Sequence, residues 1–253
     1  MPIARRLEHR ITSGYIQIVA DGQYIPAFWA HPQMGGPFPG LVLLHDDRGL
    51  SAHTRALVQR FSSVGYYVIA PDLFNRQLPT TDEAANAIEE ALFSESHIKV
   101  TAALHALETH HKCNSKMAVI GWDFGARLVY AVALTHQDVM AAVSFYGDPS
   151  PYLGRFTDEN LSPLLAIFGT EDEIMRKHEN QLREELIRTG APHEVIVYSG
   201  AKHGFFNDTL PTYDAEASED AWNQTLAFLE THQGKPPAPQ SALGDALDPG
   251  RVY

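Results

Sequence analysis

The chain has 253 residues, 44% of them hydrophobic and 20% charged, with a formal net charge of −12, which suits one sizeable core. The acidic balance argues against nucleic acid or an anionic membrane surface as partner, and no run of 18 apolar residues exists to span a membrane. A single cysteine, Cys113, excludes a disulfide framework and paired-cysteine zinc sites, and with an N-terminus that makes a poor secretory signal it points to the cytoplasm.

The elements follow in chain order. Residues 14–30 read as a hairpin turning at Asp21-Gly22, with Pro26 marking its second strand as an edge strand. Leu41 to Leu44 is a continuous apolar run, as in a buried parallel strand. Residues 52–64 repeat apolar side chains at helical spacing, through Leu57, Val58, Phe61 and Val64. A second buried run, 66–70, stops at Pro71, and residues 81–110 are helical. Strands are expected at 117–120, 141–146, 164–168 and 195–198, and helices at 126–134, 173–189 and 218–231. Strands that alternate with helices predict a mostly parallel sheet covered on both faces, with the hairpin antiparallel at one edge. From Gly234 onward the chain is rich in Pro, Gly, Ala and Asp, and 234–253 is expected to be an extended or disordered tail on a single domain of 1–233.

Open parallel sheets collect function at the carboxyl ends of their strands. There the sequence places His45-Asp46-Asp47, Asp72 to Arg76, the elbow Gly121-Trp122-Asp123-Phe124-Gly125, Asp172, and His203-Gly204-Phe205. Asp123, Asp172 and His203 fall in the order nucleophile position, acid, histidine. In that arrangement Asp172 fixes the tautomer of His203, and His203 serves as base. Backbone N–H groups of Phe124 and Asp47 are the expected oxyanion donors. Trp122 and Phe205 are candidate pocket walls, with the core as their other placement. Asp123 could instead cap the next helix, but the flanking Gly121 and Gly125 fit a tight elbow better.

Five stretches, LVLLHDDRGL (41–50), GYYVIAPDLFNR (65–76), VIGWDFGARLVYAVA (119–133), LLAIFGTEDEI (164–174) and VYSGAKHGFFN (197–207), resemble the dienelactone hydrolase family of α/β-hydrolases. With the hairpin and the last helix the resemblance covers about 15–230. It implies an α/β-hydrolase fold and a cyclic ester or related small molecule as substrate. Family members usually carry cysteine, sometimes serine, where this chain has Asp123. Asp46 matches a glutamate that contacts the resting cysteine, and Arg76 an arginine that can bind a substrate carboxylate.

Three consequences of an aspartate at the elbow stay open. It could attack an sp³ carbon and form an alkyl ester that water then hydrolyses. It could work as an acid or base on water, paired with Asp46, and one pKa of the pair should then rise. Or hydrolysis is lost, and the chain is an isomerase, a lyase or a ligand-binding relative. The expectation taken forward is a small-molecule hydrolase acting on a C–O or C–halogen bond, with an Asp123–His203–Asp172 triad. Asp46, Arg76, Trp122 and Phe205 are its expected substrate contacts. No dinucleotide or phosphate-cradling glycine motif and no metal-ligand spacing appears, so no cofactor or metal is expected. The chain is expected to act as a monomer or small homo-oligomer.

Overall fold

The computed structural model describes residues 8–20, 22–157 and 161–239. Eight strands form one sheet: β1 (Ile11–Ala20), β2 (Gln23–Pro32), β3 (Phe38–Leu44), β4 (Tyr67–Pro71), β5 (Cys113–Trp122), β6 (Val139–Phe145), β7 (Leu164–Gly169) and β8 (His193–Tyr198). Their order is β1-β2-β4-β3-β5-β6-β7-β8. β1 and β2 form the antiparallel hairpin, β2 joins β4 antiparallel, and every pairing from β4 to β8 is parallel. The helices α1 (Ala52–Ser63), α2 (Asp82–Glu108), α3 (Phe124–Thr135), α4 (Glu173–Thr189) and α5 (Ala215–Gln233) cover both faces. Among the described residues no helix is long and apolar enough to cross a membrane.

The central strands read as apolar runs because both faces are buried. Every residue of β3, β4 and β7 is buried, as are the last six of β5. Helix starts follow side-chain capping: Ser51 accepts from the Thr54 N–H, Thr81 from Ala84, and Asp214 from Glu216 and Ala217. One expectation is corrected: β2 is not an edge strand. Pro26 is tolerated because pairing with β4 begins only at Ala27; its carbonyl accepts from the Asp72 N–H at 2.8 Å, so the missing proline donor breaks no ladder bond. The edge is β1. Cys113 is buried as the first residue of β5, at the end of the strand away from the elbow. Residues 234–239 run without regular structure, with Pro236 near Gly65 and the Pro237 carbonyl 3.0 Å from His9 Nε2. The rest of the expected tail, 240–253, and Asp21 of the hairpin turn lie outside the described residues.

The parallel strands bring their carboxyl ends to one rim, and β5 ends there in the elbow. Asp123 has φ 48° and ψ −110°, a sparsely populated conformation for a residue with a Cβ. It persists because close packing fixes the turn. The Gly125 N–H donates to the His45 carbonyl at 3.1 Å, and the Asp123 N–H to the Phe145 carbonyl at 3.0 Å. A Cβ at Gly125 would lie 2.3 Å from the Leu44 carbonyl oxygen, and one at Gly121 2.5 Å from Gly125. Gly125→Ala should therefore cost about 2–3 kcal/mol by overpacking, read as a lower urea midpoint; an unchanged midpoint would show that the elbow is not held by this contact.

Candidate active site

Asp123 precedes helix α3, yet its side chain makes no capping hydrogen bond. Its carboxylate turns to His203 instead, with Oδ1 3.2 Å from Nε2. The other ring nitrogen, Nδ1, lies 2.9 Å from Oδ2 of Asp172, a carboxylate only 1% exposed at the end of β7. One imidazole thus bridges two carboxylates supplied by different strand ends. Burial alone would lower the pKa of His203, but its hydrogen bonds and charge interactions with Asp123 and Asp172 override that and push it up to about 10. At neutral pH the ring carries a proton on each nitrogen and donates both ways.

The loop after β3 forms the facing wall. His45 is buried; its Nδ1–H donates to the Asp46 carbonyl at 2.8 Å, and its Nε2 accepts from the Leu73 N–H at 3.0 Å. Burial lowers its pKa, which keeps it neutral in that tautomer. Asp46 accepts from the Arg48 N–H at 3.0 Å and from Asn207 Nδ2 at 2.9 Å. Its pKa is raised by burial and by the charge of Asp123, as the sequence led one to expect for one member of that pair. Among the described residues, the backbone N–H groups of Asp47 and Phe124 have no hydrogen-bond acceptor in the protein.

These groups open into a cavity of about 550 Å³. Size alone does not single it out: a groove of about 790 Å³ runs between β1 and α2 but holds none of the strand-end groups. Asp46, Asp47, Asp123 and His203 all line the smaller cavity. Arg76 does not. It is exposed, has φ 67°, and faces a separate groove with Asp72 and Arg55. Trp122 and Phe205 do not line it either. Trp122 is 2% exposed and stacks on Phe145, and Phe205 is fully buried against Tyr146 and Tyr198. Both are core residues: the side chain of Trp122 is covered by the neighbouring strand end, and that of Phe205 by the aromatic rings around it.

Sequence reasoning missed much of the lining, including Asp82, Asn86, Glu89, Arg127, Tyr146, Asp148 and residues 210–212. Tyr146 and Asp148 follow β6, the one strand end left out of the inventory. Tyr146 stacks edge-on to His203 at 4.9 Å between ring centroids. Arg127 follows Asp123 by one helical turn, a spacing that could have found it. Its partner Glu89, at 3.1 Å on α2, leaves no local signal, because only tertiary packing brings α2 to the rim. Burial and the charge of Asp123 push both Glu89 and Asp47 up to about 7.

The chain belongs to the dienelactone hydrolase family. A profile of that family matches residues 25–233. Similar relatives include proteins provisionally named carboxymethylenebutenolidase. That of Yersinia pestis is 27% identical over 88% of this chain and 90% of its own, and that of Synechocystis sp. 29% identical over 87% and 97%. A crystal structure of a provisionally named dienelactone hydrolase from Klebsiella pneumoniae superposes with TM-score 0.75 at 25% identity, covering 87% of this chain and 98% of that one. A dienelactone hydrolase-like promiscuous phosphotriesterase from metagenomic libraries shares the fold at TM-score 0.76 and 21% identity, covering 88% of this chain and 98% of its own.

The raised carboxyl of Asp47 has a sign that can be checked. A folded-state pKa of about 7 means the native state holds a proton that the unfolded chain releases near pH 4, so this group lowers stability as pH rises between the two. Asp47→Asn mimics the protonated form. It should raise Tm by about 2–4 °C near pH 8, roughly what ~1 kcal/mol does in a chain of this size, and change it little near pH 4. Equal shifts at both pH values would contradict the assignment.

Proposed function

We propose that this hydrolase cleaves a C–O or C–halogen bond of a small molecule, with Asp123 as nucleophile, His203 as base of the second step and Asp172 as its orienting carboxylate. The observation that carries the reading is the Asp123 carboxylate on a strained elbow, 3.2 Å from an imidazole that a second carboxylate holds. An imidazole that binds its proton up to about pH 10 cannot deprotonate a hydroxyl or thiol at neutral pH. A carboxylate nucleophile needs no such help.

In the first step an Asp123 oxygen bonds to an sp³ carbon, and the electron pair of the breaking bond leaves with the departing oxygen or halide. Asp123 is then a neutral ester. One of the two charges that held the His203 proton has vanished, so the proton is released more readily, to the leaving group or to solvent. The neutral Nε2 can now take a proton from water, whose oxygen attacks the ester carbonyl. In this reading the N–H groups of Asp47 and Phe124, which have no acceptor among the described residues, receive the oxyanion. Collapse releases the alcohol, regenerates the carboxylate and leaves one water oxygen in Asp123.

A second reading, in which Asp123 acts as a base on water, is favoured by Asp46, whose pKa is raised by burial and by the charge of Asp123. Isotope labelling separates the two. The protein would be given a panel of a dienelactone, an activated ester, a small epoxide and a haloalkane in water enriched in heavy oxygen. The peptide containing Asp123 should gain one heavy oxygen per chain under single turnover, and Asp123→Asn should lose at least ~10³-fold in rate. Turnover that leaves Asp123 unlabelled would overturn the nucleophilic step and favour the second reading.

A further inference from the structure

The charge around the elbow is unbalanced. Asp46, Asp47, Asp82, Glu89, Asp123 and Asp148 line the cavity, against two guanidinium groups and one imidazole. Each of these cations already sits on a carboxylate of the same cavity. Arg48 contacts Asp82 at 2.6 Å and Asp47 at 3.2 Å, Arg127 contacts Glu89 at 3.1 Å, and His203 contacts Asp123 at 3.2 Å. Each is thereby partly neutralised, with Arg127 Nε left without a hydrogen-bond partner. A second, separate observation agrees. Arg76, the arginine expected to hold a substrate carboxylate, faces another groove of about 610 Å³ together with Arg55.

We infer that the active-site cavity selects a positively charged substrate, an ester, lactone or alkyl electrophile that carries a protonated amine or quaternary ammonium, and that it rejects carboxylates. This rests on the hydrolase reading for the words ester and electrophile, and on the cavity alone for the sign of charge. A cation placed among the carboxylates relieves repulsion that now raises the proton affinity of Asp46, Asp47 and Glu89, where burial acts in the same direction. A low-dielectric cleft lined by one sign of charge focuses its field on a ligand of the other sign.

The test is binding to the full-length protein, measured by calorimetry at low salt and by shifts of the His203 ring resonances. The probes are benzyltrimethylammonium, its neutral isostere neopentylbenzene, and phenylacetate. The cation should bind roughly tenfold or more tighter than phenylacetate, and the ratio should shrink as salt rises. Glu89→Gln and Asp148→Asn should each lower the ratio. Equal or tighter binding of phenylacetate, binding of neither charged probe, or a ratio indifferent to salt overturns the inference. The hydrolase reading is scored separately by turnover. Cation binding without hydrolysis of any electrophile leaves the charge inference standing and removes the hydrolase; hydrolysis with a carboxylate preference does the reverse.

Discussion

His203 held between Asp123 and Asp172 is the interaction on which the site depends. A partly buried imidazole tends to lose its charge, and two carboxylates brought near each other tend to lose one of theirs. Bridging resolves both tendencies at once: the ring becomes a cation and both acids keep a partner. The elbow is what makes the bridge possible. With φ positive at Asp123 and no room for a Cβ at Gly121 or Gly125, the carboxylate cannot fall back on the helix it precedes and is directed at the histidine.

The same logic extends outward. The cavity around the bridge holds more carboxylate than cation, so protons on Asp47 and Glu89 bind up to about pH 7. Arg48 and Arg127 are paired with carboxylates of the same cavity. A thiol at the elbow would need a base to ionise it. In the proposed mechanism a carboxylate nucleophile needs no such base, and the histidine is relieved of its proton only after the carboxylate is consumed. On that mechanism the aspartate at position 123 changes the order of charge events while the scaffold stays that of the family.

Much of the fold was legible because buried parallel strands announce themselves as apolar runs and helices as 3.6-residue repeats. Leu41–Leu44, Leu164–Phe168 and residues 173–189 are examples. Pro26 misled because a proline can sit beyond the end of one ladder while its strand is interior to the sheet. The positions of Asp123, Asp172 and His203 at one rim followed from chain order, which the topology enforces. The wall opposite them did not. Asp82, Asn86 and Glu89 share one face of the first two turns of α2, but only tertiary packing brings that face to the rim. Arg76 was misplaced for a related reason: the loop after β4 carries positive φ at Asn75 and Arg76, and it turns the guanidinium into a different groove. Trp122 lies next to Asp123 at the end of β5 and points into the core, since side chains adjacent along a strand face opposite ways, whereas Phe205 sits in a turn where Tyr146 and Tyr198 enclose its ring.

The most direct test of the account is the protonation state of His203 in the resting protein. Nitrogen-15 spectra of the imidazole side chains, assigned with His203→Gln, report whether each ring nitrogen carries a proton. The account predicts that both nitrogens of His203 are protonated at neutral pH, that the ring titrates near 10, and that Asp123→Asn brings the titration down. A ring that titrates at about 6.5, the ordinary value, with one bare nitrogen at neutral pH would contradict it. His203 would then be an ordinary base, and the charge-ordered role assigned to Asp123 would fall with it.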